Sequence, residues 1–554
     1  MYRHFSCACQ ARCNREKSGF VRRASAREGR HQAPLAPTLP VRAGRARSTR
    51  AAGEPATHVE SRGTVSMVFT SREYLVFFVA CAVLYFALPY RFRWILLLAA
   101  SYAFYAVGDA QYLPLLIFVS LTAYAAGRLL EAVRNDRHRA ILLSVTLVAL
   151  LAPLFVYKYL SFFLESASGA LMLSEGHRAS LGFDILLPLG ISFFTFQAVG
   201  YVIDVHKGGV PAERHVGLLS LYISFFPQLI AGPIERARRL LPQLRRTARL
   251  DPEAVTSGGL LILWGTFKKV VIADNLAPYV DTAYAGHTAY AGLPLLIATV
   301  FFAFQVYCDF SAYVDIARGS ARILGIELMR NFDRPYGARS IGEFWHRWHI
   351  SLSTWFRDYV YIPLGGNRRG MTIRSRNLAI VFLLSGLWHG ANWTFVVWGG
   401  LHGLALILSQ LTAGMRRRLT GAIGLGRLPM TRDVLSLVAT FTFVCFAWIF
   451  FRASSLDDAF YISTHLFTGI AGQLETGEAI ARVVADSDGS MAEFLALSAA
   501  VSALFVWHTL PEGLAEKWRT TRPRWQRWSA YYVMAFGVLF WTSADTDAFI
   551  YFRF

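Results

Sequence analysis

The sequence predicts an all-helical protein that crosses a lipid bilayer many times. Hydrophobic residues make up 54% of the 554-residue chain and aromatic residues 14%. Charged residues make up only 17%, which is below the ~25% of soluble domains. The chain also contains a series of apolar runs whose lengths are close to, or greater than, the ~20 residues that one membrane-spanning helix needs. With broken segments counted separately, these runs predict about 11–13 transmembrane or re-entrant helices.

Residues 1–66 precede the first apolar run. They hold 13 Arg and Lys against 4 Glu, and they show no apolar run and no periodicity. They therefore match neither a secretory signal nor a foldable segment. An organelle-targeting peptide is one interpretation, since such peptides are rich in Arg and poor in acidic residues. We expect instead a disordered basic extension from a mis-assigned start, so that translation begins at Met67 and the membrane domain is 67–554.

The predicted spans follow in order along the rest of the chain. Several contain Gly or Pro, which a membrane helix tolerates where neighbouring helices or a water-filled cavity satisfy the freed backbone groups. The predicted spans are 74–89, 92–108, 112–127, 140–163, 184–204, 216–232, 257–280, 290–308, 377–411 as a broken pair, 434–451, 492–509 and 529–543.

The net charge of +20 favours a membrane orientation rather than nucleic-acid binding. Outside the first 66 residues, the basic residues cluster in short loops between spans, and we expect no nucleic-acid partner. Because cytoplasmic loops carry an excess of Lys and Arg, these loops are predicted to be cytoplasmic. The acidic loop 475–488 is predicted to face the other side. The basic clusters are 236–249, 368–376, 416–418 and 517–527.

The segment 216–232 conflicts with this orientation if it crosses the bilayer. Basic residues on both of its sides, among them Lys207 and Arg236, are expected in the cytoplasm. The segment also contains Pro227 and Gly232. We therefore predict that it is re-entrant or interfacial rather than spanning.

The run 377–411 contains no Lys, Arg, Asp or Glu, yet it contains His389. It is too long for one span, and its Ser-Gly and His-Gly pairs are natural places for a helix break. A helix that enters near Asn377 would place His389 roughly 18 Å deep, near the middle of the bilayer. An imidazole is costly there and marks a functional site by default.

The residues around His389 in the sequence allow two interpretations of its role. It is either a core histidine that bonds to a neighbouring helix, or a catalytic one. The flanking glycines, the nearby Asn392 and the broken helix favour catalysis. His402, further along the same run, lacks such surroundings, and we interpret it as structural.

The block 330–366 is too polar for an ordinary span and too apolar for a loop. Its large side chains recur at a spacing of three to four residues, which is typical of an interfacial amphipathic helix. They are Trp345, His346, Trp348, His349, Leu352 and Trp355.

Three interpretations compete for the histidines of this block. A metal site is disfavoured because no carboxylate or cysteine completes a recognised spacing, and we predict no bound metal. His346 suits the bilayer interface beside the tryptophans. His349 is favoured to line a polar path to His389. Because no serine or cysteine nucleophile motif accompanies them, general-base catalysis of direct transfer is favoured over a covalent route.

Several sequence blocks recur in a fixed order along nearly all of 67–554. They include 187–208, 225–236, 265–277, 307–328, 330–366, 385–399, 446–459 and the terminal FIYFRF. Together these blocks resemble the membrane-bound O-acyltransferase family, and within it the bacterial branch typified by alginate O-acetyltransferase. The opening MVFTS is similar to the usual start of that branch.

The resemblance implies a ring of helices around a thin central region that a tunnel crosses. An acyl thioester would enter from the cytoplasm and the acceptor from outside, in a bacterial inner membrane. His389, in Trp-His-Gly, resembles the near-invariant histidine of the family, and His349, in Trp-His-Ile-Ser, resembles the second histidine of this branch. His346 has no such status.

Other residues of the matching blocks are expected to bind substrate or line the tunnel. Asp309 and Asp315 have two open interpretations: they orient His349 or position substrate, or they form structural pairs with Arg318 or Arg322. The expected tunnel residues are Asn392, Trp388, Asp309, Ser311 and Trp348.

The resemblance implies an acyltransferase that helps to O-acetylate an exported polysaccharide such as alginate. His389 would take the proton of an acceptor hydroxyl, while His349 and Asn392 stabilise the developing oxyanion. The acyl donor would be a thioester substrate such as acetyl-CoA, with no permanently bound cofactor. Periplasmic or membrane-anchored polysaccharide acetyltransferases are the expected partners, to which the acetyl group is relayed.

Two alternatives remain. Within the same chemistry, the chain would transfer D-alanine from a carrier-protein thioester to teichoic acid. In a different class, it would be a transporter for a polysaccharide precursor, because broken helices and polar groups at mid-membrane are also transporter features. The halves of the chain show no internal repeat, which disfavours the transporter.

Overall fold

The computed structural model describes residues 67–170, 186–368, 370–511, 513, 517, 520–541 and 549. Every regular element in these ranges is a helix, which confirms the predicted all-helical class. The expectations for residues 1–66 fall outside the described part of the chain.

The first group of helices leads up to residue 170. A π-helical turn, Phe155–Tyr159, joins the fourth helix to the fifth without a break. The helices are α1 (Arg72–Ala87), α2 (Tyr90–Asp109), α3 (Leu113–Ala132), α4 (Asp136–Leu154) and α5 (Leu160–Ala170).

The second group contains α11, the most buried of the helical segments long and apolar enough to cross a membrane. Two further π-helical turns lie here, Lys268–Ala273 between α9 and α10 and Arg357–Tyr361 after α13. The helices are α6 (Ile191–His206), α7 (Val216–Ser224), α8 (Ala237–Leu244), α9 (Pro252–Phe267), α10 (Asp274–Ala285), α11 (Leu293–Ile323), α12 (Ile341–Arg347) and α13 (Ile350–Phe356).

The last group begins with the helix pair that the uncharged run predicts. The helices are α14 (Gly370–His389), α15 (Trp393–Leu411), α16 (Ala413–Ala422), α17 (Pro429–Arg452), α18 (Leu456–His465), α19 (Ile470–Thr476), α20 (Glu478–Asp486), α21 (Met491–Thr509) and α22 (Arg524–Trp541).

Seven helical segments of the described chain are long and apolar enough to cross a membrane. The chain is therefore a multi-pass membrane protein. Other predicted spans correspond to helices that are shorter or carry charges. The seven segments are Tyr90–Ala132, Asp136–Ser168, Pro252–Ala285, Leu293–Ile323, Trp393–Leu411, Pro429–Arg452 and Met491–Thr509.

The segment 216–232 contains only one short helix, α7, and then a series of turns. Nine helical residues span about 13 Å, which is too short to cross a ~30 Å hydrocarbon core. The turns are buried within the protein. This arrangement agrees with a re-entrant segment, because irregular backbone at membrane depth must be shielded by protein.

Helices α9 and α11 approach closely along a line of small residues. A Cβ atom on Gly258 would lie 2.7 Å from the carbonyl oxygen of Gly319, and one on Gly265 would lie 2.8 Å from that of Ala312. No side chain fits at either glycine without moving the partner helix, so glycine permits the two backbones to meet. This packing fixes α11 in the interior, where 78% of its apolar window is buried.

The predicted orientation can be tested at two exposed positions, Arg239 in α8 and Asp488 after α20. We expect cysteine at Arg239 to be cytoplasmic and cysteine at Asp488 to be periplasmic, because of the charges of the surrounding loops. In intact spheroplasts, an impermeant thiol reagent should label only the second variant. Equal labelling of both variants before lysis would refute this topology.

Candidate active site

His389 is the last residue of α14, and its side chain is only 3% exposed. Helices α14 and α15 cross closely near it, at one glycine of each helix. A Cβ atom on Gly386 would overlap the carbonyl oxygen of Phe395, and one on Gly399 would overlap that of Phe382. The predicted helix break within 377–411 is therefore present, and the close crossing turns His389 into the interior.

Asn392 begins the second helix of this pair. As the N-cap residue of α15, its Oδ1 accepts a hydrogen bond from the backbone N–H of Thr394 at 2.9 Å. Its Nδ2 donates to the carbonyl oxygen of Ser454 at 3.3 Å. Both ends of the amide thus hold the chain where it turns. The predicted contact of Asn392 with an oxyanion remains a prediction.

Three aromatic rings surround the imidazole of His389. Its ring centroid lies 5.0 Å from Trp388, 4.9 Å from Trp398 and 5.4 Å from Phe451, each in an edge-to-face arrangement. Such walls exclude bulk water, and electrostatic interactions are stronger in a medium of low dielectric constant.

His349 lies next to His389, with 6.2 Å between the two ring centroids. It is fully buried, and burial lowers the pKa of His349 to about 3. Near neutral pH its imidazole is therefore uncharged. The structure thus brings together the two histidines that the sequence singled out from separate blocks.

The backbone at His349 is left-handed, with φ of 44°. This conformation is uncommon for any residue other than glycine, and it lies between α12, which ends at Arg347, and α13, which begins at Ile350. The predicted continuous amphipathic helix through this block is therefore wrong. Its large side chains also face the interior rather than a bilayer surface, since Trp345, Trp348 and Trp355 are buried.

Asn331 explains why the helix breaks at this point. Its carbonyl oxygen accepts the backbone N–H of Ile350 at 2.9 Å. Its side-chain Oδ1 accepts the backbone N–H of Ser351 at 3.0 Å and the Ser351 hydroxyl at 2.9 Å. The same Oδ1 lies 3.3 Å from Nδ1 of His349. Asn331 therefore satisfies the first amides of α13 that a continuous helix would bond to α12.

A cavity of about 70 Å³ opens beside His389. One water needs only ~10–15 Å³ of such volume, so the cavity accommodates a polar group larger than a single water. Trp388 is on its wall, and its role in a substrate tunnel stays a prediction. The lining consists of Lys158, residues 187–193, Ile230, Ala231, Trp388 and His389.

Lys158 belongs to the π-helical turn between α4 and α5, and sequence reasoning missed it. Its Nζ donates to the carbonyl oxygens of Trp388 at 2.8 Å and His389 at 3.2 Å. A cation at the carboxyl end of α14 stabilises the unpaired carbonyl groups there. The available signal was a single lysine inside the apolar run 140–163, because a charge within a membrane span is costly unless it serves a site.

A second, larger cavity of about 400 Å³ lies along α14 and α15. The α14 residues on its wall extend from Arg374 to Ser385, which is about 16 Å of helix. Ser385 lies one helical turn before His389. Polar groups on the mostly apolar lining include His346, Arg357, Arg374 and Gln410.

Asp309 and Ser311, both on α11, contact two consecutive buried lysines in the π-helical turn that follows α9. Lys269 Nζ lies 2.7 Å from a carboxylate oxygen of Asp309 and 2.7 Å from one of Asp274. Lys268 Nζ donates to the Ser311 hydroxyl at 2.7 Å. These contacts differ from the predicted tunnel lining, although Asp309 and Ser311 flank a ring that packs on His349.

The contacts of Asp315 agree with the second of its two interpretations, a structural ion pair. Its carboxylate binds Lys268 at 2.8 Å and Arg318 at 3.3 Å, so it is part of a structural pair. Arg322 instead binds Glu327 at 2.7 Å. Phe310, between Asp309 and Ser311 on α11, packs against the site: its ring centroid is 4.9 Å from that of His349.

The other aromatic and histidine candidates are placed around the two central imidazoles. Trp348 is buried 5.1 Å from Trp448, centroid to centroid, within the aromatic core. His402 is buried and accepts the indole N–H of Trp345 at 3.2 Å, which agrees with a structural role. His346 is exposed.

The arrangement suits proton transfer in a site that excludes water. His389 lines the smaller cavity and lies one helical turn after Ser385 on the wall of the larger one, and the buried imidazole of His349 lies beside it. Among the described residues, no three His, Cys, Asp or Glu side chains lie close enough together to hold a metal ion.

The central part of the chain matches a protein-family model. Residues 216–422 match the sequence model of MBOAT, the membrane-bound O-acyltransferase family. This range contains both His349 and His389.

Curated relatives match a larger part of the chain. A probable alginate O-acetylase of Azotobacter vinelandii is 40% identical over 407 residues, which cover 73% of this chain and 78% of that protein. One from Pseudomonas syringae pv. tomato is 40% identical over 398 residues, 71% of this chain and 74% of the relative. A peptidoglycan O-acetyltransferase of Helicobacter pylori is 35% identical over 389 residues, 66% of this chain and 71% of the relative.

Proposed function

We propose, from the premise that this chain belongs to the membrane-bound O-acyltransferase family and is an acyltransferase, that it moves acetyl groups across the bacterial inner membrane. The donor is a cytoplasmic thioester such as acetyl-CoA, and the acetyl group serves the O-acetylation of an exported polysaccharide such as alginate. The relatives named as alginate O-acetylases support this choice of polymer.

The observation that carries the proposal is the pair of buried imidazoles. The ring centroids of His349 and His389 are 6.2 Å apart. With hydrogen bonds of about 2.8 Å on each side, a single oxygen atom bridges two imidazoles at roughly this separation. We therefore propose that a hydroxyl or water bridges the two imidazoles during the reaction.

His389 acts as the general base in this proposal. As the acceptor oxygen attacks the thioester carbonyl, its O–H proton moves to the imidazole of His389 and a new C–O bond forms. The tetrahedral intermediate then collapses, the C–S bond breaks, and the thiolate leaves. The proton on His389 passes to that thiolate, which restores the base and yields an ester and a thiol.

The larger cavity is the proposed path of the donor. Its Arg374 end belongs to the basic cluster predicted to be cytoplasmic, and its Ser385 end lies one turn from His389. Apolar walls suit a thioester arm, while the guanidinium groups of Arg357 and Arg374 suit its phosphates. No permanently bound cofactor is needed.

The smaller cavity is the proposed path of the acceptor. It reaches His389 from the side of Lys158 and the loop 187–190. The acceptor is either the polysaccharide itself or a periplasmic or membrane-anchored acetyltransferase that carries the acetyl group onward. In the second case this chain performs the membrane-crossing step.

The proposal is tested with purified protein in liposomes. Acetyl-CoA labelled in the acetyl group is supplied on one side, and an acceptor with free hydroxyl groups is supplied on the other. We expect free thiol to appear on the donor side and labelled ester on the acceptor side in equal amounts. A protein that inserts correctly yet never consumes the thioester, while it moves a polysaccharide precursor across the bilayer, would be a transporter. Consumption of a D-alanyl carrier thioester but not of acetyl-CoA would favour the teichoic-acid alternative.

A further inference from the structure

Asn331 has no part in the proposed reaction step, although it is a buried polar residue beside the catalytic pair. It is 1% exposed and lies 18 residues before His349 in the chain. Its hydrogen bonds decide which nitrogen of the His349 imidazole carries the proton.

The contacts of the Asn331 side chain fix the orientation of its amide. The atom 3.0 Å from the backbone N of Ser351 must be an acceptor, because a backbone N–H can only donate. That atom is therefore the oxygen Oδ1, and its NH₂ group points elsewhere. The hydroxyl of Ser351, at 2.9 Å, donates to the same oxygen.

The same oxygen atom of Asn331 determines which nitrogen of the His349 imidazole carries the hydrogen. The Nδ1 atom of His349 lies 3.3 Å from the same oxygen. An amide oxygen accepts and never donates, so Nδ1 must carry the hydrogen in this contact. In a neutral imidazole only one nitrogen carries hydrogen, and Nε2 is then left with its lone pair.

We infer that Asn331 is a positioning residue that fixes the tautomer of His349, so that Nε2 of His349 is a hydrogen-bond acceptor within the site. This inference rests on the proposed function and deepens it. His349 is then the group that orients His389, in the way that a third group orients the base of a catalytic triad. Through one bridging oxygen, the Nε2 lone pair attracts an N–H of His389 and stabilises the imidazolium that forms when His389 takes the proton.

The left-handed backbone of His349 supports this inference. Such strain persists only where surrounding contacts over-determine it. Asn331 supplies these contacts through both its carbonyl oxygen and its side chain. The same residue thus sets the position of the His349 ring and the nitrogen that carries its proton.

The first test reads the tautomer directly and does not depend on turnover. Protein labelled with ¹⁵N in histidine is studied by solid-state NMR in lipid, and the His349 signals are identified by their loss in His349→Asn. We expect a protonated Nδ1 and an unprotonated Nε2 in the native chain. In Asn331→Leu, we expect the Nε2-protonated form to appear, while Asn331→Asp keeps the native tautomer because a carboxylate oxygen accepts the same hydrogen bonds. A protonated Nε2 in the native chain would overturn the inference, even if acetyl transfer occurs as proposed.

The second test measures kcat for acetyl transfer. Asn331→Leu should lower kcat by about tenfold or more, with little change in KM for the thioester, because the loss of an orienting partner impairs the chemical step. Asn331→Asp should be at least about tenfold faster than Asn331→Leu. The control is Asn377→Leu, the same change at another fully buried asparagine, which bonds to the carbonyl oxygen of Gly366. Per folded molecule, the control should keep native kcat. Equal kcat values in the two Asn331 variants would reduce Asn331 to a packing role.

Discussion

The substitution His389→Ala is expected to abolish acetyl transfer, with a loss of at least about 100-fold, because general-base catalysis typically contributes 10²–10⁴-fold. The imidazole borders a cavity on one side, so its removal enlarges an existing space rather than opening a hole in a closed core. We therefore expect normal insertion and abundance. The measurement is O-acetylation of the polymer in cells that lack the native gene and carry the variant, with protein levels checked by blot.

His402→Ala is the matched control for this experiment. Both histidines are buried, and both pack edge-on against Trp398, at 4.9 Å for His389 and 5.1 Å for His402. His402 lies one helix further on, where it bonds to the indole of Trp345. A general effect of lost aromatic packing would impair both variants alike. If His389→Ala keeps near-normal acetylation at normal abundance, the catalytic role is wrong and the transporter gains support.

The parts of the fold that the sequence predicted well are those that depend on local composition. The uncharged run 377–411 was too long for one helix, and its His-Gly pair marked where it breaks, whereas its Ser-Gly pair lies inside α14. The aromatic block 330–366 was predicted less well, because its spacing is compatible with one amphipathic helix. The break there depends on Asn331, which bonds across the start of α13. Periodicity within a segment cannot report a bond to a residue outside that segment.

In the candidate site, too, the sequence indicated single residues but not the contacts between distant segments. His389 and His349 were found because polar, titratable side chains in apolar surroundings are visible in the sequence itself. Lys158 reaches a carbonyl oxygen 230 residues away, and only the packing of α14 beside the π-helical turn makes that contact. Asp309 was predicted as an intramembrane carboxylate, but its partner, Lys269, was not. Lys268 and Lys269 are adjacent in the chain, and the sequence does not show that each contacts a different carboxylate of α11.

The second large effect is expected for His349→Ala, which should lower acetyl transfer by at least about tenfold. The physical reason is that His349 orients His389 and is not itself the proposed base, so part of the catalysis survives its loss. Alanine is also disfavoured at the left-handed backbone of this position, where φ is 44°. For this reason His349→Asn should be measured beside it, since asparagine tolerates that conformation better while it also lacks the imidazole.

The comparison of these two variants separates chemistry from folding. If the imidazole matters for transfer, both should lose activity per folded molecule, even though His349→Asn should be the more abundant. His346→Ala is the comparison from the same block: its exposed side chain lines the larger cavity and not the catalytic pair, so we expect a milder effect, on KM for the thioester rather than on kcat. A His349→Asn variant with native turnover would show that the second imidazole only fills space between α11 and α14. The reaction would then depend on His389 alone, and the role of Asn331 would be confined to ending α12 and starting α13.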